Sequence, residues 1–117
     1  MKVKIDATLK ENDNITHKVD CAGIKKDDVI IYKNDGVDTK IFLKNNNVKV
    51  IRRSNEYEIC LDFSNEKATY KLEKENHIMD LQLTSKEIII EEGLVKIKYN
   101  LNTKDVCTEF ELYYEVL

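Results

Sequence analysis

The stretch Val95-Lys96-Ile97-Lys98-Tyr99-Asn100-Leu101 alternates apolar and polar residues without a break. After a polar turn, Glu109-Phe110-Glu111-Leu112-Tyr113-Tyr114-Glu115 does the same. A period of two sends successive side chains to opposite faces of a pleated strand. Both segments therefore read as half-buried strands. Val95, Ile97, Tyr99 and Leu101 form the apolar face of the first, and Phe110, Leu112, Tyr114 and Val116 that of the second. Lys96 and Lys98 share one polar face, Glu109 and Glu111 the other. Antiparallel pairing brings these opposite charges together, so the two segments read as a hairpin.

The same period runs back to the start of the chain. Val3, Ile5, Ala7 and Leu9 alternate with Lys4, Asp6 and Thr8, and Ile15, His17, Val19 and Cys21 follow after the turn 11–14. Residues 23–28 read as irregular. Strands are then predicted over 29–33, 37–44, 48–53, 57–63, 69–74, 79–83 and 87–91. Between them lie Asn34-Asp35-Gly36, Asn45-Asn46-Asn47, Ser54-Asn55, Ser64-Asn65-Glu66-Lys67 and Glu92-Gly93, residues that tolerate tight turns. All three glycines read as turn residues. Nowhere do ten consecutive residues carry an apolar face at helical spacing.

About ten or eleven short strands joined by short links predict an antiparallel meander. Each strand has one apolar face, so a single core must collect them all, in a closed barrel or a two-sheet sandwich. The 117 residues contain no proline to guard a sheet edge, which favours closure. The expectation is one all-β domain over residues 1–117, a single meandering barrel.

Composition narrows the function classes. Ile, Val and Thr supply 29 residues, and 42 % hydrophobic content alongside 35 % charged argues against disorder. The net charge is −3, and the longest basic runs are the pairs Lys25-Lys26 and Arg52-Arg53. No basic face for nucleic acid is expected. No apolar run is long enough to span a membrane, and MKVKIDATLK lacks the apolar stretch of a signal peptide. Three well-separated cysteines, Cys21, Cys60 and Cys107, make no disulfide framework and no metal-ligand spacing. The expected compartment is the reducing cytoplasm, with no cofactor or metal.

The terminal hairpin, the preceding Met79-Asp80-Leu81-Gln82-Leu83-Thr84-Ser85-Lys86-Glu87-Ile88, and Val48-Lys49-Val50-Ile51-Arg52-Arg53-Ser54-Asn55 followed by residues 58–63 resemble the YwiB-like family of small bacterial proteins. The resemblance is best over 48–117 and looser over the first 47 residues. It implies a calycin-like, lipocalin-related barrel. It carries no established activity, so no catalytic residues transfer. Two departures concern loops: the family tends to glycine near His77, and its hairpin around residues 34–36 is longer.

The candidate site residues are His17, Arg53, Tyr99 and Tyr114. His17 lies on an apolar-facing position between Ile15 and Val19, and a core or rim histidine is its plainer reading. His77 reads as an exposed turn residue. Tyr99 and Tyr114 lie near strand ends, where a ring can be buried while its hydroxyl stays at a barrel mouth. Arg53 ends an apolar strand and could reach over the same mouth. Cys60 sits between Glu58 and Asp62, and nearby carboxylates disfavour a thiolate. Cys107 has similar neighbours in Glu109 and Glu111, and Cys21 reads as buried. A row of inward carboxylates at Glu56 and Glu58, as a triphosphate enzyme would need, conflicts with Tyr57, Ile59, Leu61 and Phe63 taking the inner face.

Medium and large inward residues fill or nearly fill a barrel of this class, which moves binding to the open end. The expected function is a non-catalytic small-molecule-binding module for a small apolar or amphipathic ligand. The alternative is a protein-interaction or homodimerising domain, with an exposed patch around Ile89, Tyr113 and Leu117. An enzyme with an unrecognised site comes third.

Overall fold

The computed structural model describes residues 1–101 and 106–117. Ten strands are seen among them: β1 (Lys2–Glu11), β2 (Asn14–Lys26), β3 (Val29–Asn34), β4 (Val37–Phe42), β5 (Lys49–Arg53), β6 (Tyr57–Asp62), β7 (Lys67–Leu72), β8 (His77–Glu91), β9 (Leu94–Leu101) and β10 (Thr108–Val116). Each pairs antiparallel with its sequence neighbour, and β10 closes back on β1. The expected closed meander is thus the fold.

Turn chemistry follows the residues that tolerate positive φ. Asn12, Asp13, Asp27, Asp35, Asn45, Glu66 and Asn76 all adopt it, as do Gly36 and Gly93. Asp35-Gly36 gives two positive φ values in a two-residue hairpin loop, whose twist matches that of the flanking strands. The expected Asn45-Asn46-Asn47 turn lies within the link between β4 and β5, which contains one turn of 3-10 helix, Lys44–Asn46. The polar turn expected after Leu101 falls largely outside the described residues.

Two expectations are corrected. Gly23 is not a turn residue: β2 runs unbroken through it to Lys26. A Cβ built there would lie 2.5 Å from Ile5 Cδ1 and 2.6 Å from the Ile31 carbonyl oxygen, so glycine lets β2 pass closely between its neighbours. The segments 79–83 and 87–91 are not two strands but parts of β8. Apolar parity changes between them, from odd at Leu81 and Leu83 to even at Ile88 and Ile90. A bulge between Ser85 and Glu87 absorbs that change inside one strand. The first part of β8 pairs with β7 and the second with β9.

In the terminal hairpin Lys98 faces Glu109 and Lys96 faces Glu111, as expected. The ion pair itself is diagonal, Lys96 Nζ to Glu109 Oε1 at 3.4 Å, and Lys98 Nζ reaches Glu87 Oε2 on β8 at 4.0 Å. Inward residues of every strand meet in one core that includes Val3, Ile5, Ile30, Ile41, Ile97 and Leu112, all fully buried. Among the described residues the core leaves a void of about 20 Å³, close to the volume that one water needs.

Candidate functional site

The β1–β2, β3–β4 and β5–β6 turns gather at one end of the barrel, because the meander reverses direction at every strand. They surround a cleft of about 230 Å³ lined by residues of β1 to β6 and the β3–β4 turn. Leu9, Val19, Val37 and Tyr57 supply apolar wall, while His17, Asn34, Asp35, Thr39, Arg52 and Tyr32 supply polar atoms.

Strand register builds the polar floor. Tyr32 on β3 stands opposite Thr39 on β4, Thr39 opposite Arg52 on β5, and Arg52 opposite Ile59 on β6. Inward-facing Tyr32, Thr39 and Arg52 therefore form one row. Tyr32 is 3 % exposed and Thr39 2 %. Among the described residues the buried Tyr32 hydroxyl makes no hydrogen bond of normal geometry. Thr39 and Arg52 are near enough to influence it. Burial pushes the Tyr32 pKa up, and the Arg52 charge and the Thr39 hydroxyl pull against that rise.

Arg52 also lines the small interior void, together with Leu9, Val50, Phe63 and Tyr99. It thus stands where the cleft meets the core. Tyr99 is buried, its ring edge-on to Phe63 with centroids 5.1 Å apart. Burial raises its pKa, and the Arg52 charge opposes this rise first. The ion pairs seen among the described residues are Arg53–Glu58, Lys96–Glu109 and Lys98–Glu87, so Arg52 has no carboxylate partner there.

The four sequence candidates are not brought together. His17 lines the cleft as an exposed rim residue. Tyr99 lies behind it on the interior void. Arg53 requires correction: it points to the outer face, where its Nε donates to Glu58 Oε2 at 2.8 Å, with the side chain 64 % exposed. The reason is parity. Val48 and Val50 are buried, so the next inward position of β5 is Arg52. Tyr114 belongs to the opposite end, beside the β8–β9 turn, where its backbone N–H donates to the Gly93 carbonyl and Lys25 Nζ lies 5.9 Å from its ring centroid. Sequence reasoning missed Tyr32, Thr39 and Arg52. The alternation Val48, Val50, Arg52 against Lys49, Ile51, Arg53 contained the signal for the arginine.

The cysteines are half-buried. Burial raises the Cys21 and Cys60 pKa values, with a further push on Cys21 from Asp20 and a pull on Cys60 from Lys49. Burial, more than the carboxylates expected from sequence, holds Cys60 in its thiol form. Among the described residues no three His, Cys, Asp or Glu side chains are grouped to hold a metal ion.

The solved structure of the YwiB protein from Bacillus subtilis is similar over 97 % of this chain and 89 % of its own, with a TM-score of 0.66 and 18 % sequence identity. The likeness is one of fold, and the expected YwiB-like barrel is what this chain forms. No family model matches the chain, and no curated protein matches its sequence.

Proposed function

We propose that this barrel is a non-catalytic small-molecule-binding module whose ligand sits in the open-end cleft. The observation that carries this reading is the cleft floor, where a buried hydroxyl that makes no hydrogen bond of normal geometry among the described residues sits beside an inward-facing arginine. Binding sites commonly combine apolar walls with a few convergent polar groups. The pocket on the core side of Arg52, lined also by Leu9, Val50, Phe63 and Tyr99, holds about 20 Å³, room for about one water and not for a ligand. A cleft of about 230 Å³ suits a small amphipathic molecule. Cys21 and Cys60, with raised pKa values, are poorly placed to act as nucleophiles.

The test is thermal-shift and native mass spectrometry screening against small metabolites. A ligand present at about 100 times its Kd should stabilise the barrel by about 2.7 kcal/mol. A library of amphipathic metabolites that yields neither a bound species nor a shift would count against the reading.

One observation favours a second reading, self-association. Ile24 and Ile31 face each other across β2 and β3 on the outer surface, 50 % and 37 % exposed. Of the patch expected from sequence, Tyr113 and Leu117 are exposed and Ile89 is half-buried. Light scattering at high concentration tests this: a strict monomer removes it.

A further inference from the structure

The binding reading leaves open which molecules the cleft selects, and the floor residues bear on that. We propose that the cleft takes a small organic carboxylate, held by the Arg52 guanidinium and the Tyr32 hydroxyl, with its apolar body against Leu9, Val19, Val37 and Tyr57. The proposal rests on the binding-module reading and names its ligand class.

Three observations point the same way. First, Arg52 is a fixed cation on the inner face of β5, and no ion pair to it is seen among the described residues. The adjacent Arg53 shows the contrast, since its charge is met by Glu58 on the outer face. An inward cation between an apolar core and a cleft calls for an anion, and none of the wall residues beside it supplies one. The carboxylate that does line the cleft, Asp35, is exposed on the β3–β4 turn at the rim.

Second, the Tyr32 hydroxyl is buried in the wall of the same cleft beside Thr39 and Arg52, and among the described residues it makes no hydrogen bond of normal geometry. Buried polar groups are rarely left so, and an unpaired one is costly to the fold. A ligand oxygen accepting from this hydroxyl removes that cost. Thr39, next in the row, offers a second hydroxyl at the floor.

Third, size and charge favour a carboxylate over other anions. The planar guanidinium fork matches the two oxygens of a carboxylate in parallel hydrogen bonds. One fixed positive charge balances a monoanion, whereas a phosphate monoester brings nearly two negative charges. The cleft volume of about 230 Å³ is below the usual range of drug-sized pockets, roughly 300–1,000 Å³. An acid with a short chain or a single ring suits it.

The test uses benzoate and hexanoate as probes, with benzamide as the neutral counterpart and phenyl phosphate as the alternative anion. Binding is read by calorimetry and by backbone amide shifts in NMR spectra of the folded, full-length chain. Benzoate should bind at least about tenfold more tightly than benzamide, as expected of a charge-assisted fork. Its amide shifts should centre on Leu9, Tyr32, Thr39 and Arg52.

Arg52→Gln should bring benzoate down to the benzamide level, Arg52→Lys should keep part of the preference, and Arg53→Gln should change nothing. Tyr32→Phe should weaken benzoate a few-fold and raise the melting temperature of the unliganded protein, because it deletes an unpaired buried hydroxyl. That rise separates the proposal from a hydroxyl that merely supports the fold.

Equal binding of benzoate and benzamide would overturn the carboxylate assignment while leaving the binding-module reading intact. Tighter binding of phenyl phosphate, lost in Arg52→Gln, would replace the carboxylate with a phosphate. No binding of any probe, with neutral ligands recovered from the metabolite screen, would overturn the proposal alone. No binding in either experiment would overturn both readings.

Discussion

Gly23 shows how one hydrogen atom in place of a side chain shapes a wall of the barrel. Any Cβ at this position meets Ile5 on β1 and the backbone of Ile31 on β3 at contact distances that atoms do not tolerate. Gly23→Ala should therefore destabilise the fold by about 1–3 kcal/mol, the usual range for overpacking, in chemical denaturation; an unchanged midpoint would show that β1 and β3 can separate without cost. The cysteines offer a second residue-level check. Burial holds Cys21 and Cys60 as thiols to higher pH than a free cysteine. At pH 7 both should be alkylated by iodoacetamide more slowly than in the denatured chain, with the rate recovering only at more alkaline pH. Equal rates would contradict the burial argument. Legibility also ends at this scale. His17 and Tyr99 could be placed near one end from alternation alone. Arg52 and Arg53 adjoin in sequence, and only the parity inherited from Val48 and Val50 separates an inward cation from a surface one. Tyr32 reads as ordinary core in sequence, since its missing partner depends on what β4 and β5 bring beside it.

At the scale of elements, hairpins were the most legible, because alternation and turn residues are both local signals. The β9–β10 pairing followed from Lys96 and Lys98 facing Glu109 and Glu111. Cross-strand charge pairs contribute roughly 0.2–1 kcal/mol each, so Lys96→Glu combined with Lys98→Glu should lower the melting temperature by several degrees. Calorimetry checks this, and an unchanged transition would mean that the outer charges are fully screened. β8 reads as two strands in sequence for a physical reason: a bulge and a strand break both change the parity of the apolar residues. What distinguishes them is long-range. The Ser85 hydroxyl donates to the Phe63 carbonyl at 3.1 Å, and the Ser85 backbone N–H donates to Glu66 Oε2 at 3.3 Å. Both partners belong to the far end of the β6–β7 hairpin, so the bend is set by contacts that no local window contains.

For the whole molecule, closure is the defining property. β1 and β10 pair from Val3–Val116 to Glu11–Thr108. Both ends of the seam are fastened: the Leu117 N–H donates to the Lys2 carbonyl, and Asn12 and Cys107 exchange two hydrogen bonds at 3.0 Å. Removing residues 1–11 would leave β2 and β10 as open edges, which template pairing between chains. The truncated chain should lose cooperative unfolding and aggregate, as size-exclusion chromatography and denaturation would show. A monomeric, cooperative product would mean that the remaining nine strands can close without β1. Closure also imposes an order in time. During synthesis β1 emerges early, while its partner β10 follows after nearly the whole chain, a wait on the order of 10 s at ribosomal rates of roughly 5–20 residues per second. Throughout that wait one flank of β1 has no strand to join. Lys2, Lys4 and Lys10 place charge along that flank, and charge of this kind disfavours pairing by a neighbouring strand.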